Sequence, residues 1–236
     1  MRSHELASNL SRVLRRMVKG AALATLPRRL LIAAGPKREP FVYLTFDDGP
    51  HPEHTPRLLD ILAEHHVPAT FFLIGSLAEK YPAVVLRIAR EGHTVGNHTF
   101  HHTRIKKVSV GKLMDEIRRT SNVLADITGR RSRFFRPPYG GLTPLAALRL
   151  WAAGHTVVLW NSDPRDFMLT SAEGLSDWFR AHPPDAGDII LLHDRLPYAA
   201  VVLPRLVEET RRRGLEFAAV ERLHSSNSMH APLNWR

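Results

Sequence analysis

From Phe41 to Val220, short apolar runs bounded by turn residues alternate with longer stretches in which apolar positions recur every three or four residues. The short runs are rich in aromatic and β-branched residues and read as strands: Phe41–Phe46, Ala69–Ile74, Thr94–Val95, Arg133–Arg136, His155–Trp160, Asp188–Leu192 and Glu216–Val220. The longer stretches read as amphipathic helices: Thr55–His66, Leu77–Glu91, Val110–Ile127, Pro144–Ala153, Ala172–Ala181 and Ala199–Arg213. The punctuation agrees. Gly92 and Gly129 stand where helices stop, Thr143 caps a helix that begins with Pro144, and Pro137-Pro138 ends the fourth strand. Regular β/α alternation predicts parallel strands joined by crossover helices. Seven such units predict an α/β fold, a distorted (β/α)7 barrel forming a single domain, with a doubly wound open sheet as the alternative. Neither a glycine-rich dinucleotide turn nor a phosphate loop follows any of these strands.

The polar residues that can do chemistry collect just after the strands. Asp47 and Asp48 follow the first, His98 and His102 the third, Asp163 and Asp166 the fifth, and His193 and Asp194 the sixth, with Arg136 at the fourth. In a β/α barrel these ends converge on one face, where active sites are built. His98 and His102 lie four residues apart, a spacing that on a helical turn puts both rings on one side. With a carboxylate from Asp47 or Asp48 they make an Asp-His-His set for one divalent cation, and three protein ligands leave room for water and substrate. Zinc is the default ion; cobalt, nickel or iron suit the same donors. His101 is a rival ligand that faces another way. The two adjacent aspartates diverge, so one can bind the metal while the other acts as a base, held ionised and aimed by Arg136. His193 can donate a proton to a leaving group, with Asp166 fixing its orientation. Together these residues point to metal-assisted hydrolysis. Serine catalysis is disfavoured: there is no G-x-S-x-G turn, and Ser76 and Ser162 stand in no triad context.

Composition sharpens this picture in two ways. The chain has no cysteine and 14 histidines, so thiolate sites are excluded and a metal must rest on His and carboxylate. The formal net charge of +10 is uneven: residues 1–40 hold nine Lys/Arg against two acids, a net +7, leaving +3 on the remaining 196 residues. A nearly balanced body argues against nucleic acid as a partner. Residues 1–39 read as a basic leader, helical or partly disordered, in which Leu10–Ala34 can form an amphipathic helix for peripheral contact with an anionic membrane surface. No apolar run reaches the length of a membrane span, and no clear signal peptide is present. The expectation is a cytoplasmic protein or one peripheral to the inner membrane face, and a monomer. Residues 40–224 form the catalytic body and residues 225–236 a tail.

Five motifs then stand in order across Phe41–Leu223: Thr45-Phe46-Asp47-Asp48-Gly49-Pro50, His98-Thr99-Phe100-His101-His102, Arg136-Pro137-Pro138-Tyr139-Gly140, Asp163-Pro164-Arg165-Asp166-Phe167 and Leu191-Leu192-His193. The chain resembles the polysaccharide deacetylases of the fourth carbohydrate-esterase family, the NodB homology domain. The resemblance implies a metal-dependent hydrolase that removes N-acetyl groups from glycans containing N-acetylglucosamine. It implies Asp48, His98 and His102 as metal ligands, Asp47 as general base and His193 as general acid. Arg136 and Asp166 would orient these two, and the Tyr139 backbone N–H would bind the oxyanion. Leu191 would line the pocket for the acetyl methyl, and Pro138 joins Tyr139 as a substrate-binding candidate. Trp160, ending the fifth strand, is a candidate for the site wall or for the core. Phe167 stands where the family usually has Trp; it keeps a wall for stacking but lacks the indole N–H, which bears on substrate preference. An O-acetyl esterase acting on xylan and a non-catalytic glycan-binding barrel are the competing readings.

Overall fold

The computed structural model describes residues 26–225. Its centre is an eight-stranded parallel sheet formed by β1 (Leu31–Ile32), β2 (Phe41–Gly49), β3 (Thr70–Leu73), β4 (Thr94–Asn97), β5 (Phe134–Phe135), β6 (Thr156–Val158), β7 (Ile189–His193) and β8 (Glu216–Ala218). The order is β1-β6-β5-β4-β3-β2-β7, with β8 paired to the first half of β2. The ladder does not close into a continuous ring. Backbone hydrogen bonds outside the strands bridge the gap: Gly35 N donates to the Gly187 carbonyl at 2.7 Å, Ser162 N to the Ile189 carbonyl at 3.2 Å, and Leu191 N to the Ser162 carbonyl at 2.9 Å. The architecture is the distorted α/β barrel that the alternation predicts, with one additional strand.

Among the described residues eight helices connect and cover the strands: α1 (His54–Glu64), α2 (Gly75–Lys80), α3 (Pro82–Arg90), α4 (Val110–Thr128), α5 (Pro144–Ala152), α6 (Ala172–Ala181), α7 (Tyr198–Arg212) and α8 (Glu221–Ser225). The caps follow the sequence signals. Ser109 accepts from Lys112 N at the start of α4, Gly129 ends it in the left-handed region, and Thr143 accepts from Ala146 N ahead of Pro144. No helix among the described residues is long and apolar enough to cross a membrane.

The structure departs from the sequence reading in places with identifiable causes. The single helix expected over Leu77–Glu91 is two helices broken at Tyr81, whose φ of −126° and ψ of 56° lie outside the helical region because Pro82 follows. Leu31–Ile32, expected in the leader, is a buried strand on β6; Leu31 and Ile32 are in register with Val157 and Val158. The part of the expected leader helix that is described, from Leu26, holds a turn and this strand. The rest of that helix, and nearly all of the expected tail, lie outside the described residues.

Strand alternation sorts side chains into two environments. Val42, Leu44 and Phe46 of β2, with Ile190 and Leu192 of β7, face outward into a core shared with α1, α3, α6 and α7. Tyr43 and Ile189 face inward, where they meet Ile32, Phe72, Phe134, Val158, Val220 and Leu223 in an apolar plug. Each fully buried Leu, Ile or Phe contributes roughly 1.5–3 kcal/mol. Gly96 of β4 is required inside: a Cβ there would collide with the Phe72 ring. Above this plug the inward positions turn polar, and there the site begins.

Candidate active site

The inward row of β2 continues from Tyr43 through Thr45 to Asp47, and parallel register places these beside Ile189, Leu191 and His193 of β7. The same alternation that buries the plug thus lifts Asp47 and His193 side by side at the strand ends. Arg136, immediately after β5, is fully buried and ties four elements together. Its guanidinium donates to Asp47 Oδ1 at 2.8 Å, Thr45 Oγ1 at 2.7 Å, and the carbonyls of Val158 and Leu159 at 3.2 Å. It lies over the Phe72 ring at 4.2 Å and the Trp160 ring at 5.5 Å. Trp160 packs on the inner core and stands beside the Asp47 partner.

His98 and His102 are not on a helix. They span an irregular loop after β4 in which Thr99 (φ 65°) and His102 (φ 53°) are left-handed, an uncommon and costly conformation for a β-branched residue such as Thr. Polar groups beneath hold the loop. Asn97 Oδ1 accepts from Thr99 N at 2.9 Å, and its amide donates to Ile117 O and Ser121 Oγ at 2.8 and 2.9 Å. Glu116 of α4 accepts from the backbone of Phe100 and His101 at 3.1 and 2.8 Å and pairs with His101 Nδ1 at 2.8 Å. This turns the His101 ring away, and the His98 and His102 rings meet with centroids 5.0 Å apart.

Asp48 Oδ1 lies 3.6 Å from His98 Nε2 and 3.1 Å from His102 Nε2, and one ligand atom from each of the three residues falls within a 4.8 Å cluster. Their chemistry suits a divalent ion. His98 Nδ1 sits 2.7 Å from the Arg136 carbonyl, so Nδ1 carries the proton and Nε2 keeps its lone pair for a metal. Burial pushes Asp48 up, yet the neighbouring His98, His102 and His193 rings hold it well below the usual carboxylate range, so it is ionised. Burial drives His102 down, toward the neutral form that ligates. Asp48 itself is left-handed, with φ of 71°, and the two adjacent carboxylates do not diverge as the sequence suggested: Asp47 Oδ2 and Asp48 Oδ1 approach the same His98 Nε2, at 3.7 and 3.6 Å, and differ in their other partners, Arg136 for Asp47 and His102 for Asp48.

Opposite this cluster, His193 Nδ1 meets Asp166 Oδ1 at 2.6 Å, and the other Asp166 oxygen accepts from His193 N at 2.8 Å. Burial lowers the His193 pKa, but the bond and charge of Asp166, with Asp47 and Asp48, carry it above the ordinary value. Phe167, nearly half exposed, sets its ring edge-on to His193 at 5.4 Å. Leu191 is buried one inward step below His193. Pro138 is buried, while Tyr139 is exposed in a left-handed turn with its ring 4.6 Å from that of His102. Asp163 is drawn into the local turn, accepting from Arg165 N at 2.9 Å.

Asp194, noted at the strand end but given no role there, is buried and accepts from Thr55 Oγ1 at 2.6 Å; burial pushes its carboxyl up to about 7 despite that bond. Two neighbours escaped the sequence reading. Glu116 props the loop that carries His98 and His102, as described. Arg195 Nε reaches Asp48 Oδ2 at 3.1 Å. A buried acid on the apolar face of α4 was the available signal for Glu116; nothing in the local pattern singles out Arg195.

Residues 34–158 match the family profile described as Polysaccharide deacetylase. A peptidoglycan-N-acetylglucosamine deacetylase of Bacillus cereus is 36% identical over 193 residues, covering 79% of this chain and 69% of that protein. A chitooligosaccharide deacetylase of Bradyrhizobium sp. (strain ANU 289) is 35% identical over 199 residues, covering 78% of this chain and 90% of its own length. The crystal structure of the peptidoglycan N-acetylglucosamine deacetylase Bc1960 superposes with a TM-score of 0.79 at 34% identity, over 82% of this chain and 92% of that one.

Proposed function

We propose the reaction on the premise that this chain belongs to the polysaccharide deacetylase family. It is a hydrolase that removes N-acetyl groups from N-acetylglucosamine-containing glycans of the chitooligosaccharide or peptidoglycan kind, the substrates named for its relatives. One observation carries the reading: a three-donor cluster, Asp48, His98 and His102, flanked on one side by a carboxylate clamped to a buried arginine and on the other by a histidine clamped to a buried aspartate.

The residues divide the work as follows. Asp48, His98 and His102 hold one divalent ion, with zinc the ion proposed and cobalt, nickel or iron accepted by the same donors. When bound, such an ion supplies Lewis acidity that polarises the acetyl carbonyl and makes water easier to deprotonate. Asp47 is the general base. Its Oδ1 is fixed by Arg136, leaving Oδ2 to take the proton of the attacking water. His193 is the general acid. Asp166 holds Nδ1, leaving Nε2 to protonate the departing amine. The Tyr139 backbone N–H, in the turn beside His102, stabilises the oxyanion; Leu191 lines the methyl pocket, and Phe167, Pro138 and Trp160 wall the sugar site. Acetate released from chitooligosaccharides or peptidoglycan fragments, and lost on chelation, is the expected result. Release from acetylxylan alone would assign an O-acetyl esterase instead, and glycan binding without turnover would assign a binding protein.

The Asp166–His193 pair also fixes a pH dependence. A general acid works in its protonated form, so activity is retained below its pKa and falls as pH rises through it. Because the bond and charge of Asp166 help raise that pKa, Asp166→Asn is expected to move the alkaline limb of the kcat/KM profile to lower pH. An unmoved limb would show that another group sets it.

A further inference from the structure

Beside the metal-ligand cluster lies a cavity of about 280 Å³ that the chemistry above does not use. Asp48 and His102 form its inner wall, Leu77 and Tyr81 an apolar side, and His51 and Arg195 its polar groups. We propose that this cavity is a subsite for a carboxylate carried by the sugar next to the one being deacetylated, with Arg195 as its principal ligand.

The argument begins with how Asp48 spends its two oxygens. Oδ1 is the atom nearest both His98 and His102, while Oδ2 faces Arg195 Nε at 3.1 Å. Arg195 can therefore stay in place beside a loaded cluster. A guanidinium has five N–H donors in a planar fork, and Asp48 engages one of them. The side chain is 45% exposed, so its remaining donors are free to meet a bidentate acceptor such as a carboxylate. Asp48 is the only acid among the lining residues and is already shared with the metal ligands, which leaves Arg195 without a full counter-charge. His51 adds a second donor. Its Nδ1 accepts from the backbone N–H groups of Glu53 and His54, both at 3.2 Å, so the proton sits on Nε2. Burial and the neighbouring His54 keep this ring toward its neutral form, so it contributes a hydrogen bond rather than charge. The cavity has room for a short carboxylate-bearing arm lying against Leu77 and Tyr81.

This inference rests on the deacetylase reading and narrows it. The named relatives act on neutral and on acidic glycans, and the subsite favours acidic ones, in which N-acetylated sugars alternate with carboxylate-bearing sugars. The test uses three tetrasaccharides of equal length: an N-acetylglucosamine tetramer, an alternating N-acetylglucosamine–N-acetylmuramic acid tetramer, and the latter with its carboxylates methyl-esterified. The protein is expected to prefer the acidic tetramer over its ester at least tenfold in kcat/KM. Arg195→Gln is expected to collapse that ratio toward one, and Arg195→Lys to retain part of it. A ratio near one in the unsubstituted protein, or a ratio that survives Arg195→Gln, overturns the subsite. Turnover of none of the three defeats the deacetylase reading itself, a separate outcome.

Discussion

Asp47→Asn is expected to lower kcat for acetate release by about 10²–10⁴-fold, the usual contribution of a positioned general base, while the protein remains folded. The amide is isosteric and its oxygen can still accept from Arg136, so the geometry of the 2.8 Å contact survives while the basicity is lost. A mere loss of substrate affinity would raise KM and leave kcat alone, and steady-state kinetics on a chitooligosaccharide separate the two. The charge left on Arg136 costs some stability, so a modest fall in melting temperature accompanies the kinetic defect. A variant with kcat within a few-fold of the parent would remove Asp47 from the role of base.

Arg136→Met is the change with the largest expected effect on stability. It removes one half of a buried ion pair and leaves Asp47, Thr45 and the carbonyls of Val158 and Leu159 without the donor that binds them together. Breaking a buried pair by deleting one partner costs about 3–5 kcal/mol, which for a domain of this size corresponds to roughly 6–20 °C in melting temperature. Methionine fills much of the volume between Phe72 and Trp160, so the loss reports the stranded carboxylate rather than an empty cavity. Thermal unfolding followed by circular dichroism reads this directly. Arg136→Met,Asp47→Leu is expected to recover much of the stability and none of the activity, since it removes both charges together. An Arg136→Met protein as stable as the parent would mean that the pair is not the clamp described.

What could be read from the sequence follows from how local each signal is. β2 and β7 were legible because each is an apolar run ending in chemistry, and their inward alternation carries Asp47 and His193 to the same rim. β1 was not, because Leu31–Ile32 is two residues long and sits within a basic segment; only its pairing with β6 makes it a strand. The break at Tyr81 was available in the sequence as the residue before Pro82, but the apolar periodicity runs through it. The candidate metal ligands were proposed from a spacing argument whose geometry differs from that of the structure. His98 and His102 converge through two left-handed residues propped by Asn97 and Glu116, long-range contacts that no spacing encodes. Asp194 and Arg195 follow His193 directly, yet their roles depend on Thr55 and Asp48, more than a hundred residues away.

Metal titration with acetate detection tests the central claim most directly. Protein stripped of metal is titrated with zinc while acetate release from an N-acetylglucosamine oligomer is followed by proton NMR. Activity is expected to be absent at the start, to rise in proportion to added zinc, and to level off at one ion per chain, with His98→Gln and His102→Gln abolishing the rise. Full activity in the stripped protein, or binding of one zinc per chain with no acetate released from any N-acetylated glycan, would contradict it.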